Sequence, residues 1–109
     1  MAFDEQLAER VRDEIGSDPS VGERKMFGGL AFMINGNMAC GVMGDGLMVR
    51  VGPDAYEAAL AKPAASEMDF TGRPMRGMVT VSSAGIAEPE GLAEWVEAGT
   101  DFAGSLPPK

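Results

Sequence analysis

Few side chains in this 109-residue chain can do covalent or acid–base chemistry. There is no histidine, Cys40 is the lone cysteine, and no serine stands beside a possible base. A nucleophile needs an activating neighbour and a zinc site needs several ligands, so neither follows from these residues. What remains is cationic and glycine-rich: Arg24-Lys25 lead into Met26-Phe27-Gly28-Gly29, and Arg50, Arg73 and Arg76 follow. Were these cations to converge, they would hold an anion. Gly28-Gly29 lacks the spacing of a phosphate loop and no helix follows, so close approach of the backbone or a bulge is the expected use of the pair. Gly44-Asp45-Gly46 lacks the ligand ladder of a calcium loop and reads as a turn. Glu5 and Glu9 read as the solvated face of a helix. Cys40, mid-strand with no basic neighbour in sequence, reads as a small buried hydrophobe.

Composition narrows the function further. A length of 109 residues allows one domain with a single two-layer core. The 45% hydrophobic and 24% charged residues belong to an ordinary globular chain. A net charge of −8, with nine Lys and Arg scattered among 17 acids, opposes contact with phosphate backbones. No direct nucleic-acid binding is expected. The apolar runs are too short for a bilayer span and Met1-Ala2-Phe3-Asp4-Glu5 is acidic where a signal peptide is basic, so a cytoplasmic chain with no membrane partner is expected. A single cysteine fits a reducing compartment.

The elements that position these residues follow from periodicity. Phe3, Leu7, Ala8, Val11 and Ile15 recur at helical spacing until Gly16-Ser17-Asp18-Pro19 stops the helix. A strand begins near Phe27. Asn35-Gly36 and Asp45-Gly46 then mark two hairpins separating Met38–Val42 from Leu47–Val51. With two tight turns, Ala31, Met33, Met38, Cys40, Val42, Leu47, Val49 and Val51 share a core face. Leu30, Phe32, Ile34, Asn37, Ala39, Gly41, Met43, Met48 and Arg50 then share the other, which is also largely apolar and needs a cover. A helix starts at Gly52-Pro53-Asp54 and runs through Tyr56 and Leu60. Strands follow around Glu67–Phe70 and Gly77–Val81. Leu92, Trp95, Val96, Gly99 and Phe102 stripe a closing helix. The fold class is α+β: two layers with an antiparallel sheet, in the order α-β-β-β-α-β-β-α.

Several of these pieces match a known family: Met26-Phe27-Gly28-Gly29, Asn35-Gly36 with the strand after it, Leu47-Met48-Val49-Arg50-Val51, Phe70-Thr71-Gly72-Arg73-Pro74-Met75, and Leu92-Ala93-Glu94-Trp95-Val96. On them the chain resembles the TfoX N-terminal domain family, whose best-known members are the bacterial competence regulators TfoX or Sxy. The resemblance spans nearly the whole chain, as one domain over residues 1–109. It implies a two-layer α/β fold and a regulatory rather than enzymatic role. Full-length regulators carry a C-terminal domain, and a stand-alone N-terminal domain is expected here. Where members tend to have an aromatic-rich strand, this chain has Met78-Val79-Thr80-Val81-Ser82-Ser83.

The functional expectation is a non-enzymatic interaction domain that forms a homodimer or binds a regulatory protein. It would use Arg24, Lys25, Leu30, Phe32, Ile34, Met43, Met48 and Arg50, with no catalytic residue, cofactor or metal. The alternative is a small-molecule or anion-binding enzyme using Arg24, Arg73 and Arg76 near Phe27-Gly28-Gly29. A deep pocket lined by those arginines, against a flat apolar patch, separates the two.

Overall fold

Asp4 explains where the first helix begins. Its carboxylate accepts the backbone N–H groups of Gln6 at 2.9 Å and Leu7 at 3.2 Å, which have no partner inside the helix. Helix α1 (Glu5–Ile15) then buries Leu7, Ala8 and Val11, and Gly16 caps its end. The computed structural model describes residues 3–16, 19–26, 28–69 and 74–108.

Beyond α1 the chain forms β1 (Val21–Met26), β2 (Gly29–Ile34), β3 (Asn37–Met43), β4 (Gly46–Arg50), α2 (Tyr56–Leu60), β5 (Ala65–Asp69), β6 (Pro74–Val81) and α3 (Pro89–Ser105). The six strands make one antiparallel sheet in the order β1-β2-β3-β4-β6-β5. The α+β architecture anticipated from sequence is the one found, with one further strand. That strand is β1, whose Gly22-Glu23-Arg24-Lys25 stretch shows no apolar alternation because it lies at the sheet edge, where charged side chains face water and discourage edge pairing.

The two hairpins inside the sheet show how turn chemistry sets register. Asn35 and Gly36 both have positive φ, 52° and 83°, as a type I′ turn requires, and Ile34 pairs with Asn37 across it. The next turn is centred on Gly44-Asp45 rather than Asp45-Gly46. Gly44 has φ 58° at the first central position, the II′ pattern, and Met43 pairs with Gly46.

Between these turns lies a β-bulge. Met33 pairs with Met38 but Phe32 pairs with Cys40, which leaves Ala39 as an extra residue in β3. One extra residue inverts the alternation, so every side chain on the N-terminal side of Ala39 in the β2–β3 hairpin exchanges faces relative to tight pairing throughout. Leu30 and Phe32 therefore lie in the helix-covered core with Cys40, Val42, Leu47, Val49, Val79 and Val81, while Ala31, Met33 and Met38 take the opposite face. This corrects the two expected faces. The grouping of Cys40, Val42, Leu47 and Val49, all C-terminal to the bulge, holds. Asn37 also turns to the helix side, where its buried amide donates to the carbonyl of Pro107 at 3.0 Å.

All three helices pack on that one face. Leu7, Ala8 and Val11 of α1, Tyr56 and Ala59 of α2, and Leu92, Trp95 and Val96 of α3 join the same core. Close contact is built into the backbone: a Cβ on Gly99 of α3 would sit 2.3 Å from the carbonyl oxygen of Ala39. Arg10 ties α1 to the segment before α3 by donating to the carbonyl of Ile86 at 2.7 Å. Phe32→Ala is expected to cost about 3–5 kcal/mol in a urea titration, the range for emptying an aromatic site in a packed core. A loss well under about 1 kcal/mol, typical of surface positions, would return Phe32 to the open face.

Candidate functional site

Cys40 offers no nucleophile. It is fully buried, and burial pushes its thiol from an ordinary value of 9.0 up to about 12, because a thiolate there would lose its hydration. Among the described residues no group of three or more His, Cys, Asp and Glu could hold a metal ion. The acids of α1 have a structural use. Arg12 binds Glu9 on its own helix and forks onto Glu23 of β1 at 2.7 and 2.9 Å. The hydrogen bond from Arg12 lowers the Glu23 pKa, and the same bond holds the Arg12 proton more tightly. The clamp fixes the edge strand against α1, though its exposure keeps its contribution small.

The face opposite the helices is built from flexible thioethers over small residues. Met48 lies across Gly41, where a Cβ would come within 2.5 Å of the Met48 methyl. Met78 packs beside it and the half-buried Met38 and Met43 lean on both. Met33 pairs with Met38 and extends the row toward β1. No described helix covers this face. Its polar borders are Arg24, paired with Ala31 on the β1 edge, and the Ser66–Thr80 hydroxyl pair at 2.9 Å on the β5 side. Methionine fills such a surface without a fixed shape, because its unbranched chain adapts to what it meets.

The residues singled out from sequence divide between the two layers. Met43 and Met48 are on the open face, although Met48 is wholly shielded by its neighbours. Leu30 and Phe32 are core residues beneath the helices. Ile34 is half-buried and lines a hollow between α1 and α3 with Ile15, Val96 and Thr100. Arg24 and Lys25 are both exposed on β1, and strand alternation sends them to opposite faces. The guanidinium of Arg50 is occupied by the ring of Phe102, 5.3 Å from its centroid. Of the alternative set, Arg24 lines a hollow of about 580 Å³ with Glu23, Met33 and Asn35 beside the β2–β3 turn. Phe27, Arg73 and the side chain of Arg76 lie outside the described residues. Gly29 makes the close approach foreseen for the glycine pair: a Cβ there would meet the Val42 carbonyl at 2.2 Å.

Sequence reasoning missed Met33, Met38 and Met78 as neighbours of Met43 and Met48. The signal was present. Tight pairing throughout would have buried Ala31 and left Leu30, Phe32 and Ile34 outside, an unfavourable exchange that a bulge at the small residues Ala39 or Gly41 removes.

Comparison with known proteins adds one finding. The family model described as the TfoX N-terminal domain matches residues 13–103. No curated protein and no solved structure matches the chain.

The burial of Cys40 sets an expectation for native chemistry. Iodoacetamide at neutral pH should label the thiol only as fast as the chain unfolds, since the thiolate is the reactive form. Stability should fall as pH rises above the ordinary thiol value of 9.0, because the unfolded chain then releases a proton that the folded chain retains up to about 12. Rapid labelling of the folded protein would show a reachable thiolate and overturn the assignment.

Proposed function

The chain belongs to the TfoX N-terminal domain family, and we propose that it is a cytoplasmic, non-enzymatic regulatory domain that acts by binding protein through the open face of its sheet. The family is a non-catalytic one and gives a regulatory context. The observation that carries the reading is the one-sided placement of the helices: α1, α2 and α3 all join the core on one face of the sheet, and the other presents the half-buried Met33, Met38 and Met43 around the buried Met48 and Met78. An apolar sheet surface of this kind loses free energy when it stays wet, and association removes it from water. A second copy of the chain suits it, since a two-fold axis would set methionine against methionine and pair like surfaces without a separate partner. A regulatory protein of matching apolar surface would use the same residues.

The net charge of −8 opposes duplex nucleic acid as the partner, and no described helix is basic enough to enter a groove. Among the described residues no helix is long and apolar enough to cross a membrane. Arg24 at the β1 edge supplies part of the polar rim that interfaces place around an apolar centre.

Sedimentation at micromolar concentration tests the reading. The native chain should be dimeric, and Met33→Glu/Met38→Glu should be monomeric with little change in melting temperature, because those side chains are only half-buried. A native chain that stays monomeric, with no regulatory protein captured differently by the two forms, would remove the open face as an interaction surface.

A further inference from the structure

We propose that the cleft between α2 and α3 binds a small anionic amphiphile, a carboxylate carried on an apolar chain or ring. The cleft is open on one side and measures about 410 Å³, within the usual range of roughly 300–1,000 Å³ for small-molecule sites. Its walls are Trp95 and Phe102 from α3, Val51 at the end of β4, and Ala55, Ala58 and Ala59 from the α2 side. The alanines leave open a space that larger side chains would fill, so an apolar body can lie between the two rings.

One cation, Lys62, lines this space, and a second, Arg50, stacks on a ring that walls it. The Lys62 ammonium stands 5.0 Å from the Trp95 ring centroid, and the Arg50 guanidinium 5.3 Å from that of Phe102. Neither is held by a carboxylate among the described residues, in a chain where 17 acids outnumber nine bases. A ring occupies one side of a cation and leaves N–H groups on its other sides able to donate, so an incoming carboxylate gains charge-assisted hydrogen bonds there. Asp101 also lines the cleft and repels an anionic head placed beside it, so the carboxylate is expected at Lys62 with the apolar body between the rings.

Trp95 is the single tryptophan of the chain and lines this cleft, so any tryptophan response has this one source. The full chain would be titrated with octanoate below its micellar concentration, with octan-1-ol as the uncharged control. Octanoate should change Trp95 emission saturably, and octan-1-ol should need roughly tenfold higher concentration, the ratio for about 1.4 kcal/mol of head-group recognition. Ala58→Leu places bulk in the cleft from an exposed helix position and should abolish the response with the circular dichroism unchanged. Lys62→Gln should shift the octanoate midpoint several-fold upward and leave that of octan-1-ol in place. The proposal is overturned by the absence of a saturable response, by a response that survives Ala58→Leu, or by equal midpoints for octanoate and octan-1-ol.

Discussion

The carbonyl of Ala39 against Gly99 is the contact on which the rest of the structure depends. That carbonyl belongs to the bulged residue of β3, and only a residue without a Cβ lets the helix come down on it, since a methyl group would stand 2.3 Å from the oxygen. With helix and strand this close, Trp95 and Val96 reach the core, and the extra residue in β3 turns Leu30 and Phe32 toward them. Inverting two strands of the sheet exchanges a core of large aliphatic and aromatic side chains for one containing Ala31 and Met33, so the bulge decides which face can be buried well.

What faces away is decided by the same residue. The bulge gathers Met33 and Met38 with Met43, Met48 and Met78, and it removes from that face the three bulkiest hydrophobes of β2. The resulting surface is apolar but soft, laid over Gly41 and Ala31 rather than over large side chains. Such a surface suits recognition better than catalysis. Its described centre is thioether and methyl, and the cysteine that could do chemistry is in the opposite layer with its proton held to high pH.

Much of the fold was legible because local rules and tertiary demands agreed. Asp4 and Gly16 cap α1 where the apolar period starts and stops, Asn35-Gly36 makes its type I′ turn, and the α3 stripe of Leu92, Trp95, Val96 and Gly99 is buried as its spacing implies. The edge strand β1 escaped because its partners are charges and water rather than a core, and Glu23 is tied to Arg12 of a different element. The open face was mistaken for a physical reason of a different kind. Pairing from the turns is a local argument, and a bulge is chosen by the whole: burial of Phe32 and the seat for Gly99 outweigh the loss of one ladder pairing. The cations near the β1 edge were legible as exposed, whereas the stacking of Arg50 on Phe102 joins residues far apart in sequence and carries no local signal.

Gly99→Ala measures the central contact directly through urea unfolding. In an ordinary helix interior this change raises stability by about 1 kcal/mol, because alanine is the better helix former. Here the methyl group meets backbone rather than a side chain that could swing aside, and forcing it into a packed seat costs about 1–3 kcal/mol, so the midpoint should move to lower urea with the slope unchanged. A midpoint that moves to higher urea would mean that α3 does not rest on the Ala39 carbonyl, and the assignment of the two sheet faces would lose its basis.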